Sequence, residues 1–303
     1  MQGLRFCGDT STVGRAAPPH RPSIIVLAGG KSRRFGRDKL AARVGGQASL
    51  ARVLDRVRPV ATTVRVSVSS DRRRAELRRL LRSADTEFII DRPERWGPGP
   101  GGAIARALTE SEPGPVLIVP GDMPWLETAA LGRLLAEAQA TGADVVAPRW
   151  GTGETEHLLQ WHRDRTNVGY LPPRDAWVSA ELRASELLRA VPRTALVPVG
   201  RLSTDAGSFG HLTVRADLER PTPRGVIGRG SSVRLVGAAP KRAYRDAHAQ
   251  LAAGDRAGAS ASFRSEAEWY ARADVPILAR HARTDADRIA REVNRGSAPR
   301  RDR

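Results

Sequence analysis

The chain has 303 residues, of which 40% are hydrophobic, and carries a formal net charge of +17. No apolar run approaches the roughly 20 residues of a membrane span, and the first 22 residues lack the apolar core of a signal peptide. Cys7 is the one cysteine in the sequence, which excludes a disulfide framework and a cysteine-based metal site. The sequence therefore predicts a cytoplasmic protein with a buried core and a length above that of one average domain.

The positive charge comes almost wholly from arginine and is densest, per residue, after position 223. A basic surface attracts nucleic acid and other polyanions. However, no patch interleaves arginines with aromatic residues, and the sequence contains no nucleic-acid-binding motif. The charge is therefore interpreted as solvated surface, and nucleic acid is not expected as a partner.

Residues 1–22 are rich in Gly, Pro, Ser and Thr and are predicted to be a disordered lead-in. The apolar run Ser23–Leu27 then predicts a buried strand that ends in the turn Ala28-Gly29-Gly30. Paired glycines let the backbone approach a ligand closely. Five cations follow this turn: Lys31, Arg33, Arg34, Arg37 and Lys39. This arrangement favours a polyphosphate site over a basic surface loop.

Strand and helix patterns alternate through the next 170 residues. Predicted strands cover 64–68, 87–90, 116–119, 144–147 and 195–199, and predicted helices cover 72–82, 103–108 and 181–190, with others beginning at caps Ser49 and Thr128. Such alternation predicts an α/β fold with a mostly parallel sheet covered by helices on both faces. Loops that follow parallel strands collect at one crevice, where open α/β sheets bind their ligands.

Two of these loops are candidates for ligand binding. The glycine-dense stretch 96–102 leads into a helix and is either a second anion- or base-binding edge or a rigid connector. Asp122 follows the strand 116–119, where its carboxylate could hold a hard cation such as Mg²⁺ against phosphate oxygens. A lone Asp at such a position is more often a turn or helix-cap residue, so the two interpretations stay open on this pattern alone.

Residues 27–39 read L-A-G-G-K-S-R-R-F-G-R-D-K. This stretch resembles the signature L-A-G-G-x-S-x-R-[MF]-G-x-D-K of the molybdenum cofactor guanylyltransferases at every fixed position. Asp122 falls on the G/C-D-M/T-P element of that family, and residues 97–101 fit its G-P-x-x-G element. A closing family segment, F-x-N-V-N-T-P-x-D-L, is similar to residues 209–218, but His211 and Thr213 replace its two asparagines.

The resemblance implies a Rossmann-like nucleotidyltransferase that moves GMP from GTP onto the phosphate of molybdopterin, releases pyrophosphate and uses Mg²⁺. It makes Lys39 and Asp122 the catalytic residues, with Asp122 as the metal ligand. It also implies nucleotide contacts from the following residues: Leu27, Ala28, Gly29, Gly30, Arg34, Ser67 and Asp91. Where relatives use an asparagine beside the metal, Thr213 would be a weaker ligand.

Three other functions remain as alternatives. A cytidylyltransferase, or a transferase with a sugar phosphate or another small phosphate as acceptor, would use the same fold. A non-catalytic adaptor that binds nucleotides or polyanions would explain the degraded closing segment.

The sequence divides into the lead-in 1–22, a nucleotidyltransferase domain 23–222 and an extension 223–303. The extension begins with a glycine-rich linker, and helices are predicted over 241–252, 257–271 and 275–293. Their small and aromatic residues are typical of a tetratricopeptide-like hairpin, which cannot bury its own apolar face. We expect it to cover the catalytic domain, to self-associate or to bind a protein partner, with His248 and His281 on the surface and a basic tail after 294.

Overall fold

A computed structural model describes residues 21–30, 32–82, 86–90, 96–219, 221–223, 225–228 and 232–296. Nearly all of the predicted lead-in, most of the basic tail and Asp91 lie outside these residues. Among the described residues, no helix combines the length and the apolar character needed to cross a membrane.

The described chain forms ten strands and nine α-helices. The strands are β1 (Ser23–Leu27), β2 (Arg43–Val44), β3 (Gln47–Ala48), β4 (Thr63–Val68), β5 (Glu87–Ile90), β6 (Val116–Pro120), β7 (Val145–Arg149), β8 (Gln160–His162), β9 (Thr194–Pro198) and β10 (Arg234–Val236). The helices are α1 (Ser49–Val57), α2 (Asp71–Leu81), α3 (Pro100–Thr109), α4 (Thr128–Thr141), α5 (Ser185–Ala190), α6 (Val199–Leu202), α7 (Ala238–Ala252), α8 (Arg256–Arg272) and α9 (Pro276–Gly296).

Eight strands make one sheet in the order β10-β9-β7-β8-β6-β1-β4-β5, while β2 and β3 form a separate hairpin. The pairs β1–β4, β1–β6, β4–β5 and β7–β9 are parallel. Strand β8 runs antiparallel between β6 and β7, and β10 is an antiparallel edge strand. The predicted mostly parallel α/β sheet is thereby confirmed.

The sheet separates two apolar cores because successive strand residues point to opposite faces. Within β1, Ile24 and Val26 pack with helices α1, α4 and α6, whereas Ile25 packs with α3, α5 and the C-terminal helices α7–α9. The C-terminal helices therefore complete the second core and cover the sheet.

The caps of α1 and α4 and the start of α5 differ from the predictions, and α3 and α7 each begin three residues earlier than predicted. Ser49 and Thr128 are the first residues of α1 and α4, whose caps are Ala48 and Glu127. The Thr128 hydroxyl instead donates to the Arg56 carbonyl at 2.9 Å. Helix α5 begins only at Ser185, because the residues before it pack against the glycine-dense loop, where the Gly101 amide donates to the Leu182 carbonyl at 2.9 Å.

The three helices predicted after residue 240 are present as α7, α8 and α9. The segment before them is more than a linker, since β10 pairs with β9 and extends the sheet. The prediction that His248 lies on the surface is wrong: the side chain is buried, and its Nδ1 atom lies 2.8 Å from the Ala176 carbonyl oxygen. His281 is half-buried, with its Nδ1 atom 2.6 Å from the Ser185 hydroxyl.

A buried ion cluster fastens the C-terminal helices to α5. The guanidinium of Arg189 is fully buried and bonds to Glu266 of α8 at 2.7 Å and to Asp285 of α9 at 2.7 Å, besides Glu186 on its own helix. It also lies over the ring of Tyr244 of α7, 4.9 Å from the centroid. One residue of the sheet domain thus contacts all three C-terminal helices.

Candidate active site

The ends of β1 and β6 bring the two predicted catalytic loops together. These strands are adjacent and in register, so that Leu27 pairs with Pro120. The Gly121 amide donates to the Leu27 carbonyl at 3.0 Å, and a Cβ atom at position 121 would lie only 2.8 Å from that oxygen. Glycine at this position lets the two chains approach closely and places Asp122 beside the turn that follows β1.

A cavity of about 560 Å³ opens at this edge of the sheet. Its wall contains Leu27, Ala28, Gly29, Gly30, Lys39, Leu40, Ser69, Pro98, Gly99, Pro100, Ala103, Pro120, Asp122 and Leu158. Six of the predicted site residues are therefore brought together, and the glycine-dense loop contributes to the same wall. A Cβ atom on Gly30 would meet nothing within 4 Å, so this part of the turn faces open space.

Two predicted nucleotide contacts do not line this cavity. The side chain of Ser67 is buried inside β4, where its backbone carbonyl accepts from the Ala28 amide at 2.8 Å. Ser69, two residues further on, lines the cavity instead. Arg34 is exposed on a short 3₁₀ helix and is absent from the wall. Asp91 lies outside the described residues.

The loop after β1 is held by an ion pair to α2. The Nη1 and Nη2 atoms of Arg73 donate to the Asp38 carboxylate at 2.7 and 2.8 Å. The Leu40 amide donates to the same carboxylate at 3.1 Å. Partial burial would raise the pKa of Asp38, but the hydrogen bonds and charge of Arg73 lower it below the ordinary range. Arg72 and Arg73 also line a second concavity that adjoins Gly29 and Gly30. Cationic side chains of α2, as well as those of the loop itself, therefore lie near the turn.

Asp122 lies at the centre of a chain of polar contacts. Its Oδ2 atom is 2.5 Å from Lys39 Nζ, and its Oδ1 atom is 3.3 Å from His211 Nδ1. The other ring nitrogen of His211 is 2.9 Å from a Glu156 carboxylate oxygen, and the second oxygen of Glu156 accepts from the Trp150 indole at 2.6 Å. His211 and Glu156 are both buried, so the two carboxylates are joined through one imidazole away from water.

The contacts shift the pKa values of both groups next to the cavity. Burial would raise the pKa of Asp122, but the hydrogen bond and charge of His211 and the charge of Lys39 hold it well below its usual range. Burial would lower the pKa of His211, but its hydrogen bonds to Asp122 and Glu156 and their charges raise it above the ordinary value. Asp122 is therefore held as an ionised carboxylate between the Lys39 amine and the His211 imidazole.

His211 lies beside Asp122, with its Nδ1 atom 3.3 Å from Oδ1. The Thr213 amide donates to Asp217 at 2.6 Å as part of the turn that follows. That Thr213 would be a weaker or water-mediated metal ligand stays a prediction. Sequence reasoning missed Glu156 as the partner of His211, and the one available signal was that a titratable His replaces a neutral asparagine in the closing segment.

The residues at Asp122 fit a magnesium ion that is shared with a phosphate ligand. Magnesium is commonly bound through one or two carboxylates plus substrate phosphates. Asp122 is the one acidic side chain in the described cavity wall. Among the described residues, no group of three or more His, Cys, Asp or Glu side chains is arranged to hold a metal by itself. A cation here would therefore depend on the ligand as well as on Asp122.

Residues 24–193 match the family model described as "MobA-like NTP transferase domain". The chain belongs to this family. The match covers more than half of the chain and includes Lys39, Asp122 and Glu156, whereas His211 and helices α7–α9 lie beyond it.

Curated relatives agree with the family. A probable molybdenum cofactor guanylyltransferase from Pyrococcus horikoshii is 33% identical over 196 residues, which is 64% of this chain and 95% of the relative. A molybdenum cofactor guanylyltransferase from Rhizobium meliloti is 30% identical over 198 residues, or 63% of this chain and 85% of the relative. With the family match, these relatives identify the protein as a nucleotidyltransferase, and the non-catalytic adaptor alternative is set aside.

The fold agrees with a solved structure of the same kind. The chain superposes on molybdopterin-guanine dinucleotide biosynthesis protein A from Archaeoglobus fulgidus with a TM-score of 0.54 and 23% identity. The similarity covers 65% of this chain and 95% of that one, and at this identity it supports the fold alone. The predicted Rossmann-like nucleotidyltransferase fold is confirmed.

Proposed function

We propose that this family member transfers GMP from GTP to the phosphate of molybdopterin and releases pyrophosphate. The observation that carries the proposal is the pairing of Lys39 with Asp122 at 2.5 Å, in a cavity that also exposes the Gly29-Gly30 turn. The names of the similar guanylyltransferases supply the nucleotide and the acceptor.

The transfer forms one bond and breaks one bond. A phosphate oxygen of the acceptor attacks the α-phosphorus of GTP. The bond between that phosphorus and the oxygen that bridges it to the β-phosphorus breaks, and this oxygen leaves with pyrophosphate. Because the attacking group is already an anion, no strong general base is needed. Catalysis then rests on positioning and on neutralising the charge of the transferring and leaving groups.

The residues around the cavity have roles that follow from their positions. Leu27, Ala28 and Gly29 would line the nucleotide with backbone groups. Lys39 would neutralise the triphosphate and the charge that develops on pyrophosphate. Asp122 would hold Mg²⁺ against the phosphates, and when bound this ion would withdraw charge from their oxygens. His211 would keep the Asp122 carboxylate ionised and oriented through its contact with Oδ1.

Thermal unfolding with each nucleotide tests the choice of substrate. GTP, CTP, ATP and UTP are added separately, with and without Mg²⁺, and the unfolding midpoint is measured. A ligand at about 100 times its Kd adds about 2.7 kcal/mol of stability. We expect a magnesium-dependent shift with GTP. A shift with CTP alone would make the protein a cytidylyltransferase, and no shift with any nucleotide would contradict the proposal.

Pyrophosphate release with molybdopterin as acceptor then tests the reaction. Release that requires both GTP and molybdopterin supports the proposal. Release that occurs with a sugar phosphate and not with molybdopterin would keep the reaction class and replace the acceptor.

A further inference from the structure

We propose that the C-terminal helices position the acceptor side of the active site through the segment of residues 149–159, here called the crossing segment. It links the end of β7 to the start of β8 and supplies Leu158 to the cavity wall and Glu156 to His211. Asp274, at the α8–α9 junction, and Arg280, on α9, are assigned as positioning residues. The inference rests on the proposed function, since it concerns the acceptor of that reaction.

The crossing segment folds back on itself and reaches the C-terminal helices at its tip. The Trp150 amide donates to the Glu154 carbonyl at 2.7 Å, and the Gly153 amide donates to the Trp150 carbonyl at 2.9 Å. Gly153 lies at the tip with φ +84°, and a Cβ atom there would be 2.5 Å from the ring of Pro276, the first residue of α9. The tip and the start of α9 therefore pack too closely for any residue but glycine.

Two ion pairs join the crossing segment to the start of α9, one at the beginning of the segment and one at its tip. Arg149, buried at the start of the segment, donates to the Asp274 carbonyl at 2.9 Å and also to its carboxylate. Asp274 has φ +54°, a left-handed conformation that is uncommon for residues other than glycine. At the tip, Arg280 of α9 bonds to Glu154. His157, which precedes Leu158 in the chain, makes an edge contact with the ring of His281, with centroids 6.4 Å apart.

In the proposed reaction, the acceptor would occupy the side of Asp122 that the crossing segment supports through His211. The attacking and leaving oxygens of a phosphoryl transfer are roughly in line. Lys39, which would receive pyrophosphate, contacts one oxygen of Asp122, and His211 contacts the other. Glu156 holds His211 from behind, so the side away from the leaving group is built from the crossing segment and its partners. A change at α9 should therefore alter acceptor binding before nucleotide binding.

The test uses the full-length double variant Asp274→Asn/Arg280→Ala. Both side chains are more than half exposed, and asparagine tolerates the left-handed conformation, so the fold should persist. Arg256→Ala is the matched control, because it removes another exposed ion pair between α8 and α9, to Glu292, that does not touch the crossing segment. Two readouts are compared: the KM for molybdopterin against the KM for GTP, and backbone hydrogen exchange of residues 150–159.

We expect the double variant to raise the molybdopterin KM by at least about threefold, because it removes the exposed Arg280–Glu154 pair and also the carboxylate partner of the buried Arg149, while the GTP KM stays unchanged. Hydrogen exchange in the crossing segment should become faster, with β6 unaffected. The control should match the wild type in both readouts. The swapped pair Glu154→Arg/Arg280→Glu should restore the molybdopterin KM that Arg280→Glu alone raises.

Unchanged hydrogen exchange overturns the inference. Faster exchange with an unchanged molybdopterin KM overturns it too, because the contacts would then be structural only. If the wild type itself does not use molybdopterin, the proposed function fails, and the exchange experiment alone decides whether α9 holds the crossing segment.

Discussion

The two sides of Asp122 are built from different kinds of contact. On the Lys39 side, one stretch of 14 residues, 27–40, supplies six residues of the described cavity wall and is fastened by the partly exposed Asp38–Arg73 pair. On the His211 side, His211 and its partner Glu156 come from segments 55 residues apart, and both side chains are buried. The difference teaches that the loop after β1 is assembled locally in sequence, whereas the His211 side depends on how distant parts of the domain pack.

The largest effect should come from the buried support of the second side. Arg189→Met leaves the buried carboxylate of Glu266 without its cation and removes one of the two arginines that pair with Asp285, the other being Arg183. Removing one partner of a buried ion pair costs about 3–5 kcal/mol, so we expect a loss of this size in the free energy of unfolding, measured by urea denaturation. Arg193→Met, at an arginine that is 65% exposed and pairs with Asp144, is the control and should leave the transition unchanged. Equal effects for the two variants would contradict the comparison.

The next effect concerns catalysis. Lys39→Ala and Asp122→Asn should each lower kcat by at least about 10²-fold, because each removes a charge that acts on the transferring phosphates. Circular dichroism should show the native fold in both variants. Asp55→Asn, at a half-exposed aspartate that binds Arg58 and Gln47, is the control for the loss of a carboxylate. Near-wild-type turnover in either variant would exclude the proposed mechanism.

The buried amine of Lys241 should make the free energy of unfolding depend on pH. Burial lowers the pKa of Lys241 to about 7, since its amine is enclosed where α7 meets α5 and β9 and bonds to Thr194 at 2.7 Å. The unfolded chain binds this proton up to the ordinary lysine pKa of about 10.4, so the folded state gains stability as pH rises from about 7 towards 10. The slope from this group is about 1.4 kcal/mol per pH unit.

The measurement compares urea unfolding of wild type and Lys241→Met at pH 7.5, 8.5 and 9.5. The difference in the free energy of unfolding between the two proteins should change by about 1.4 kcal/mol per pH unit. Lys39→Ala, which changes a different lysine, should keep the wild-type dependence. A constant difference between wild type and Lys241→Met would show that the amine stays protonated in the fold.

The smallest effect is expected on the Lys39 side. Asp38→Asn weakens the bidentate contact to Arg73 that holds the loop, and exposed or partly exposed pairs contribute about 0.2–1 kcal/mol. The KM for GTP should therefore rise by no more than about fivefold, with the molybdopterin KM unchanged. Glu76→Gln removes the other carboxylate partner of Arg73 and is the control. A larger rise in the molybdopterin KM would reverse the assignment of the two sides.

The sequence was sufficient to predict the features that depend on short-range interactions. The apolar run Ser23–Leu27 predicted the strand β1, and alternation of strand and helix patterns predicted the parallel sheet. That the glycine turn and the cations after it bind phosphate stays a prediction. These features are set by local backbone preferences and by one-dimensional periodicity. Lys39 and Asp122 could be paired in advance only through the family signature, because 83 residues separate them.

The rest depends on contacts that no local pattern encodes. Glu156 and His211 are 55 residues apart, and their meeting requires the packing of the crossing segment against the closing segment. Arg189 meets Glu266 and Asp285 across 77 and 96 residues, and nothing near those positions marks a buried ion cluster. The edge strand β10 is three residues long with an exposed Leu235, too short to separate from a glycine-rich linker by its pattern.

The antiparallel strand β8 has a consequence for how the acceptor would bind. Because β8 runs opposite to β7, both ends of the crossing segment are fixed at the same edge of the sheet, and its tip is fixed to α9. A segment held at three points has little conformational entropy left to lose. The acceptor would meet a preorganised wall, so its affinity would not be reduced by the ordering of a mobile lid.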